Sequence, residues 1–177
     1  MDTKKSKKGF TLVELVITLV LVAILAALAG PPFQELIRRN QIRSITDDFM
    51  AVFNTGRSEA IKRNRQVVIC ASTDGANCDV ANWDSGWMMF AETVTNNGDI
   101  DAGEPIIQVG LALPVGYTLR GTAPNASSVV LNPDGSTTGL GGTFRICSPA
   151  ADITLARSIV FNIVGRPRQQ LGTDVCP

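Results

Sequence analysis

Glu14 is the only charged residue in an apolar run from Phe10 to Ala29. A carboxylate at the centre of a membrane-spanning helix costs about 2.5–3.5 kcal/mol on insertion scales and marks a functional residue by default. The competing reading places Glu14 near enough to the interface to reach water. The chain also has four cysteines, Cys70, Cys78, Cys147 and Cys176, and four cysteines permit three pairings. The reading adopted is Cys70–Cys78, closing a short loop, and Cys147–Cys176, tying the tail to a strand. A zinc site of four thiolates is the rival, but it lacks the close cysteine pairs that such sites show. Asn97, Asp99, Asp101 and Glu104 alternate oxygen ligands as a calcium loop does. Their glycine is displaced, the Glu comes too early for that pattern, and Asn97-Gly98 reads as a hairpin turn. Near the C-terminus stands Gly165-Arg166-Pro167-Arg168. Two guanidiniums flanking a proline in a loop can grip phosphates without reading sequence, and Arg157 adds to that patch. The alternative is that these arginines salt-bridge acidic residues of the same domain or of a neighbour.

Histidine is absent. The chain therefore lacks the side chain best suited to proton transfer near neutrality, which is also the commonest metal ligand. Carboxylate, Lys–Ser or cysteine chemistry stays open, but an enzyme is disfavoured and no cofactor is expected. Charges balance at 16 basic and 16 acidic residues over 177 positions. Their distribution is uneven. Lys4, Lys5, Lys7 and Lys8 crowd the start, and from Gln66 onward 5 basic residues face 10 acidic ones. A basic nucleic-acid-binding domain would look different.

The elements that must position these residues follow from periodicity. Phe10 to Ala29 is long enough to cross a ~30 Å hydrocarbon core as a helix, with the lysines on the cytoplasmic side. A secretory signal peptide would have a shorter apolar run before its cleavage site, although the small residues Ala26, Ala27 and Ala29 would fit one. Beyond Gly30-Pro31-Pro32, Phe33, Leu36, Ile37, Ile42, Ile45, Phe49, Val52, Phe53 and Ala60 recur at helical spacing. The spacing predicts one helix from Phe10 to about Asn64, bent or loosened near Pro31. Its first half is an anchor (10–31) and its second half (32–64) is amphipathic against a head (65–177). The basic residues of that second half, among them Arg38, Arg39 and Arg43, read as a solvated face rather than a DNA contact. Strand-like runs follow at Val67–Cys70, Trp87–Phe90, Pro105–Val109, Tyr117–Arg120, Ser128–Leu131, Thr143–Cys147 and Ser158–Val164. Asn132–Gly142, rich in Gly, Ser and Thr, reads as a mobile loop. The fold class is α+β, a long helix on an antiparallel head.

The string Gly9-Phe10-Thr11-Leu12-Val13-Glu14 resembles the type IV prepilin processing site. Arg57–Cys70, Trp83, Gly86-Trp87, Phe90, Gly103-Glu104 and Gly165–Arg168 extend the likeness to the FimT/GspH group of minor pilins and pseudopilins. The resemblance implies a type IV pilin fold and removal of residues 1–9 by a prepilin peptidase cutting between Gly9 and Phe10. It further implies N-methylation of Phe10 and docking through Glu14, whose charge a neighbour's new α-amino group would offset. Implied partners are other pilins or pseudopilins, an inner-membrane assembly platform, and DNA at Arg166 and Arg168 during natural transformation. The implied location is a single-pass inner-membrane protein with a periplasmic head, later part of a filament and at the cell surface. A type II secretion pseudopilin acting in protein export is the alternative.

Overall fold

Thr11 starts the helix. The Glu14 backbone N–H donates to Thr11 Oγ1 at 3.2 Å, and the Thr11 N–H and hydroxyl each donate to Glu14 Oε2 at 3.3 Å. This reciprocal capping box supplies partners that the first helical turn cannot find within itself. In this computed structural model residues 9–79, 82–94, 97–122, 127–172 and 175–176 are described, with the side chains of 27–32 excepted. Residues 1–8, which hold the expected leader lysines, lie outside that set.

The helix α1 spans Leu12–Arg63, 52 residues. It begins two residues after the expected Phe10 because the capping pair occupies the first positions. Its assignment passes unbroken through Pro31 and Pro32; a missing proline donor interrupts the ladder only locally when flanking turns complete it. At the C-terminal end, Asn64 takes the left-handed conformation (φ 51) common in helix stops, and Lys62 and Arg63 both reach Glu59.

The chain divides into two compact units, Met1–Arg38 and Arg39–Pro177. In the first, the apolar side chains from Leu12 to Leu25 are all about half exposed or more, on every face of the helix. Thr18 returns its hydroxyl to the Leu15 carbonyl at 2.8 Å. Among the described residues no helix is long and apolar enough to cross a membrane; the described side chains of the apolar run stop at Ala26.

Among the described residues the second unit holds eight strands: β1 Val67–Ala71, β2 Trp87–Ala91, β3 Ile106–Gly110, β4 Thr118–Gly121, β5 Ser128–Leu131, β6 Gly142–Cys147, β7 Arg157–Phe161 and β8 Pro167–Leu171. They form two antiparallel four-stranded sheets, β3-β2-β1-β5 and β4-β6-β7-β8. Ile42, Ile45, Phe49, Val52, Phe53 and Ala60 of α1 share one core with Val67, Ile69 and Met89 of the first sheet and Leu119, Phe144, Ile146, Ile159 and Phe161 of the second. Edge-to-face rings knit the centre, with Phe49–Phe144 centroids 4.9 Å and Trp83–Phe144 centroids 5.0 Å apart. Gly56 lets α1 approach the first sheet closely, since a Cβ there would lie 2.7 Å from Leu131 Cδ1. That sheet is covered on both sides: Val68, Cys70, Met88 and Phe90 form a second cluster with Cys78 and Ile100. Double burial explains why Val67–Ala71 reads as an unbroken apolar run rather than an alternation.

Candidate functional site

Gly165–Arg168 is not a loop trailing the last strand, as the sequence suggests. Pro167 and Arg168 open an eighth strand that pairs with β7, Val160 opposite Arg168 and Phe161 opposite Pro167. The segment PRQQL has no β-branched residue to announce a strand, and pairing imposes the conformation. Proline is tolerated because it stands first on an edge strand. The run expected to reach Val164 stops at Phe161, because Asn162–Arg166 form the hairpin turn.

The motif's glycine makes that turn. Gly165 has φ +72, its N–H donates to the Asn162 carbonyl at 2.8 Å, and a Cβ there would lie 2.2 Å from the Gly135 carbonyl oxygen. Gly135 in turn accepts from Arg57 Nε of α1 at 3.0 Å, and Thr137 N–H donates to the Ile163 carbonyl. The expected mobile loop Asn132–Gly142 therefore carries turn bonds and a bridge between Leu131 and Thr137.

Arg166 and Arg168 are both exposed and line a cleft of about 490 Å³ with Asn162, Val164 and Pro167. Neither side chain has an acidic partner among the described residues. Arg157 does not join them. It pairs with Ile146 and Leu171, so the pleat sets it on the core side of β7 while Arg168 faces outward. Arg145 of β6 shares the outward face instead, through its register with Ser158 and Gln170. Finding it needs the register, which the order of residues does not carry.

The cysteines form two bonds, Cys70–Cys78 and Cys147–Cys176, and none of the four is free. The zinc alternative falls with them.

The acidic loop is folded on itself. Glu104 Oε1 accepts from the Thr93 and Val94 N–H groups at 2.6 and 3.1 Å, and Oε2 accepts from Asp101 N–H at 3.0 Å. Glu92, fully buried, accepts from Gly98 N–H at 2.7 Å. Asn97 Oδ1 accepts from Asp99 N–H at 2.9 Å, which is turn chemistry. The Asn97 and Glu104 oxygens that resembled calcium ligands serve backbone donors, and among the described residues no group of acidic or cysteine side chains is arranged to hold a metal.

At the other end, Phe10 is 85% exposed and Glu14 is tied into the capping box. The capping role was legible as Thr-x-x-Glu before an apolar run, a signal overshadowed by the charge itself.

Comparison with known proteins places these features. A family model described as type II transport protein GspH matches residues 46–165, and one described as the prokaryotic N-terminal methylation motif matches residues 4–30. A fimbrial protein of Pseudomonas aeruginosa is 33% identical over 43% of this chain, which spans about half (49%) of that relative's length. A type IV major fimbrial protein FimA of Dichelobacter nodosus is 32% identical over 72% of this chain and 77% of its own. Among solved structures, the type IV minor pilin FimU of P. aeruginosa superposes with a TM-score of 0.59 at 21% identity, covering 78% of this chain and 97% of that one. The minor pseudopilin EpsH of the Vibrio cholerae type 2 secretion system gives 0.50 at 13% identity, covering 74% and 97%. At such identities these two likenesses speak to the fold alone.

Proposed function

Because the chain belongs to the GspH family of type II transport proteins and carries the N-terminal methylation motif, we propose that it is a minor subunit that helps initiate or cap a type IV pilus-like filament. The family is one of structural pilin and pseudopilin subunits, membrane-anchored and assembled with other pilins, and not of enzymes. The observation that carries the proposal is a helix whose side chains from Leu12 to Leu25, Glu14 and Thr18 apart, are apolar and exposed on every face. Such a helix must be buried by lipid or by other helices. On this reading a prepilin peptidase cuts between Gly9 and Phe10 and Phe10 is N-methylated. The anchor first holds the head in the periplasm at the inner membrane, and the assembly platform then moves it into a filament, where Glu14 docks against a neighbour. Mass spectrometry of sheared filaments should find a mature chain starting at N-methylated Phe10; a chain retaining residues 1–9 there would overturn the reading.

Arg166 and Arg168, exposed beside one cleft and without acidic partners among the described residues, support a contact with DNA phosphates, as in uptake for natural transformation. Arg166→Gln with Arg168→Gln in the full chain should abolish binding to labelled duplex DNA while the melting curve stays put. Unchanged binding would refer these arginines to subunit contacts. The family's description as a type II transport protein favours a second reading, a secretion pseudopilin acting in protein export. Deleting the gene would then stop export of secreted proteins and leave surface pili intact.

A further inference from the structure

Each of the two sheets ends in two edges, and an edge strand presents N–H and C=O groups that its own sheet leaves unpaired. Among the described residues three of the four edges are blunted. β5 is covered by the turn that follows it, where Thr138 N–H donates to the Val130 carbonyl at 2.9 Å and Leu131 bridges Thr137. β8 opens on Pro167 and carries Arg168, and β4 has four residues and carries Arg120. Proline, charge and shortness are devices that keep an edge from pairing with another chain. β3 lacks them: from Ile106 to Leu113 the chain has no charged residue and no proline. Its register shift against β2, between Met89 and Phe90, touches only its start, and Gln108, Val109 and Gly110 stand in regular register with Met89, Met88 and Trp87.

Hydrogen bonding along β2 shows which groups of β3 are left over. Ala91 N–H donates to the Pro105 carbonyl and Glu92 N–H to the Gln66 carbonyl, so odd-numbered residues of β2 bond toward β3 and even-numbered ones toward β1. Trp87 and Met89 therefore bond Gly110 and Gln108, while Val109, opposite Met88, directs its N–H and C=O away from the sheet. The Val109 and Ile106 side chains lie on the side of Met88 and Phe90, their opposite residues. Ile106, Val109 and, just beyond the strand, Leu111 are 44%, 46% and 88% exposed. A strand laid along this edge would pair the Val109 groups and extend the buried cluster of Met88 and Phe90 over Ile106 and Val109.

The surroundings set the charge of such a strand. From Gln66 to Leu119 the chain carries Asp74, Asp79, Asp84, Glu92, Asp99, Asp101 and Glu104 and no basic residue. Asp99, Asp101 and Glu104 stand in the segment leading into β3. Asp74 precedes Gly75, which comes so near β3 that a Cβ there would lie 2.7 Å from Val109 Cγ1. The Ala76 N–H, the Asn77 side-chain amide and the Asn77 N–H hold the Asp74 carboxyl far below the usual carboxylate range. Neutral donors of this kind satisfy a carboxylate and leave its charge in place. An apolar edge with an acidic border attracts a basic segment and repels an acidic one.

We propose that the outer edge of β3 takes up an extended segment of a different subunit of the filament, with apolar residues at alternate positions and Lys or Arg among the others. Main-chain pairing supplies the affinity and the alternate side chains supply the selectivity. A second copy of this chain fits poorly, because its edges that carry a basic residue, β4 and β8, are blunted ones. The proposal rests on the filament reading and adds to it the strand and the charge by which the head is held.

The full chain in a neutral detergent is mixed with a labelled synthetic peptide of alternating valine and lysine, or of alternating valine and glutamate. Residue-resolved hydrogen exchange should show the Val109 amide slowed about 10-fold by the lysine peptide in tenfold excess over its Kd, and unchanged by the glutamate peptide. Val109→Pro removes the outward N–H and leaves the β2–β3 bonds in place, a substitution an edge strand tolerates. It should weaken binding of the lysine peptide at least about 10-fold, whereas Val109→Thr keeps the N–H and should bind as the parent does. Asp99→Asn should weaken binding by about 1.5- to 5-fold, the scale of one exposed ion pair. If Val109→Pro melts early, exchange at Val109 in the unaltered chain decides. No protection there, or equal protection by both peptides, would overturn the proposal. In cells, a photoreactive phenylalanine derivative replacing Gln108 should crosslink to a different filament subunit, within a stretch that contains Lys or Arg. An adduct with a second copy or with an exported protein, or no adduct, would overturn the partner named. N-methylated Phe10 in sheared filaments together with an unprotected β3 would sink the edge and keep the filament reading. A chain retaining residues 1–9 there would sink that reading and the partner with it.

Discussion

Glu104 and Glu92 lie within one loop and titrate in opposite directions. Burial pushes the Glu104 carboxyl up, but the N–H groups of Asp101, Thr93 and Val94, together with a hydrogen bond to Glu92, hold it below the ordinary range. Burial pushes Glu92 up as well, and there the charges of Glu104 and Asp101 add to it against the backbone N–H groups of Gly98 and Asn97. Glu92 thus binds its proton more readily folded than unfolded. Its contribution to stability is full below its ordinary value of 4.5 and is lost as pH rises through the raised one. Glu104 works the other way, stabilising above 4.5 and failing as pH falls through its lowered pKa. Glu92→Gln keeps the shape and removes the titration, so melting temperatures should show the variant gaining on the parent as pH is raised from about 4.5. A gap that does not vary with pH would mean that Glu92 binds its proton equally well folded and unfolded. Glu14 poses a different problem, because its carboxylate caps α1 whatever else it does. Glutamine at that position preserves a capping box, whereas alanine loses it at a cost of about 0.5–2 kcal/mol. If the charge docks the subunit, Glu14→Gln and Glu14→Ala should both insert and be processed, and both should be missing from sheared filaments. Normal incorporation of the glutamine variant would reduce Glu14 to a cap.

At the scale of elements, Gly165 fixes how the β7–β8 hairpin seats on the turn at Gly135. Gly165→Ala combines a left-handed backbone with a collision against a carbonyl that cannot move freely. It should cost about 1–3 kcal/mol in a denaturant titration, and a loss below 0.5 kcal/mol would show that the turn can yield. The glycine was visible as part of a motif, but its reason is a partner thirty residues upstream that only the fold brings near. The same limit runs through the head. Local patterns marked α1 and seven of the strands to within a few residues, since apolar periodicity and turn residues are local properties. Pro167–Leu171 was missed because Arg168, Gln169 and Gln170 carry no strand preference of their own. The division into two sheets was missed because β1 pairs with β5 and β4 with β6 across long stretches of chain. Arg157 was grouped with Arg168 by nearness in sequence, which says nothing about the side of a pleat. The cysteine bonds invite a comparison between elements too. Cys147–Cys176 spans 29 positions and Cys70–Cys78 spans 8, so chain entropy favours the longer bridge by about 1 kcal/mol. Cys176→Ser should therefore lower stability more than Cys78→Ser; the reverse order would place the shorter bridge's value in the packing around Cys70.

For the molecule as a whole, the long helix belongs to two environments. From Ile42 to Ala60 most of its apolar residues, Ile42, Ile45, Phe49, Val52, Phe53 and Ala60, are buried in the core shared with the sheets, whereas from Leu12 to Leu25 they are exposed and contribute nothing to that core. The compact units part between Arg38 and Arg39. A chain begun at Arg39 would retain every residue of both buried clusters and place Asn40, a favourable N-cap, just ahead of Gln41 and Ile42. Its first turn would fray at little cost, because helical stability there comes from the packed face rather than from propensity. Removing the exposed apolar half also takes away the surface that drives association in water. Residues 39–177 should accordingly be monomeric by sedimentation without detergent and unfold in one cooperative step. Their free energy of unfolding should lie within about 1 kcal/mol of the full chain's in a neutral detergent, the usual scale of effects at sites remote from a core. A broad, non-cooperative transition, or persistent self-association of the truncated chain, would show that the head depends on the helix beyond Arg39, and the division of labour along α1 would have to be redrawn.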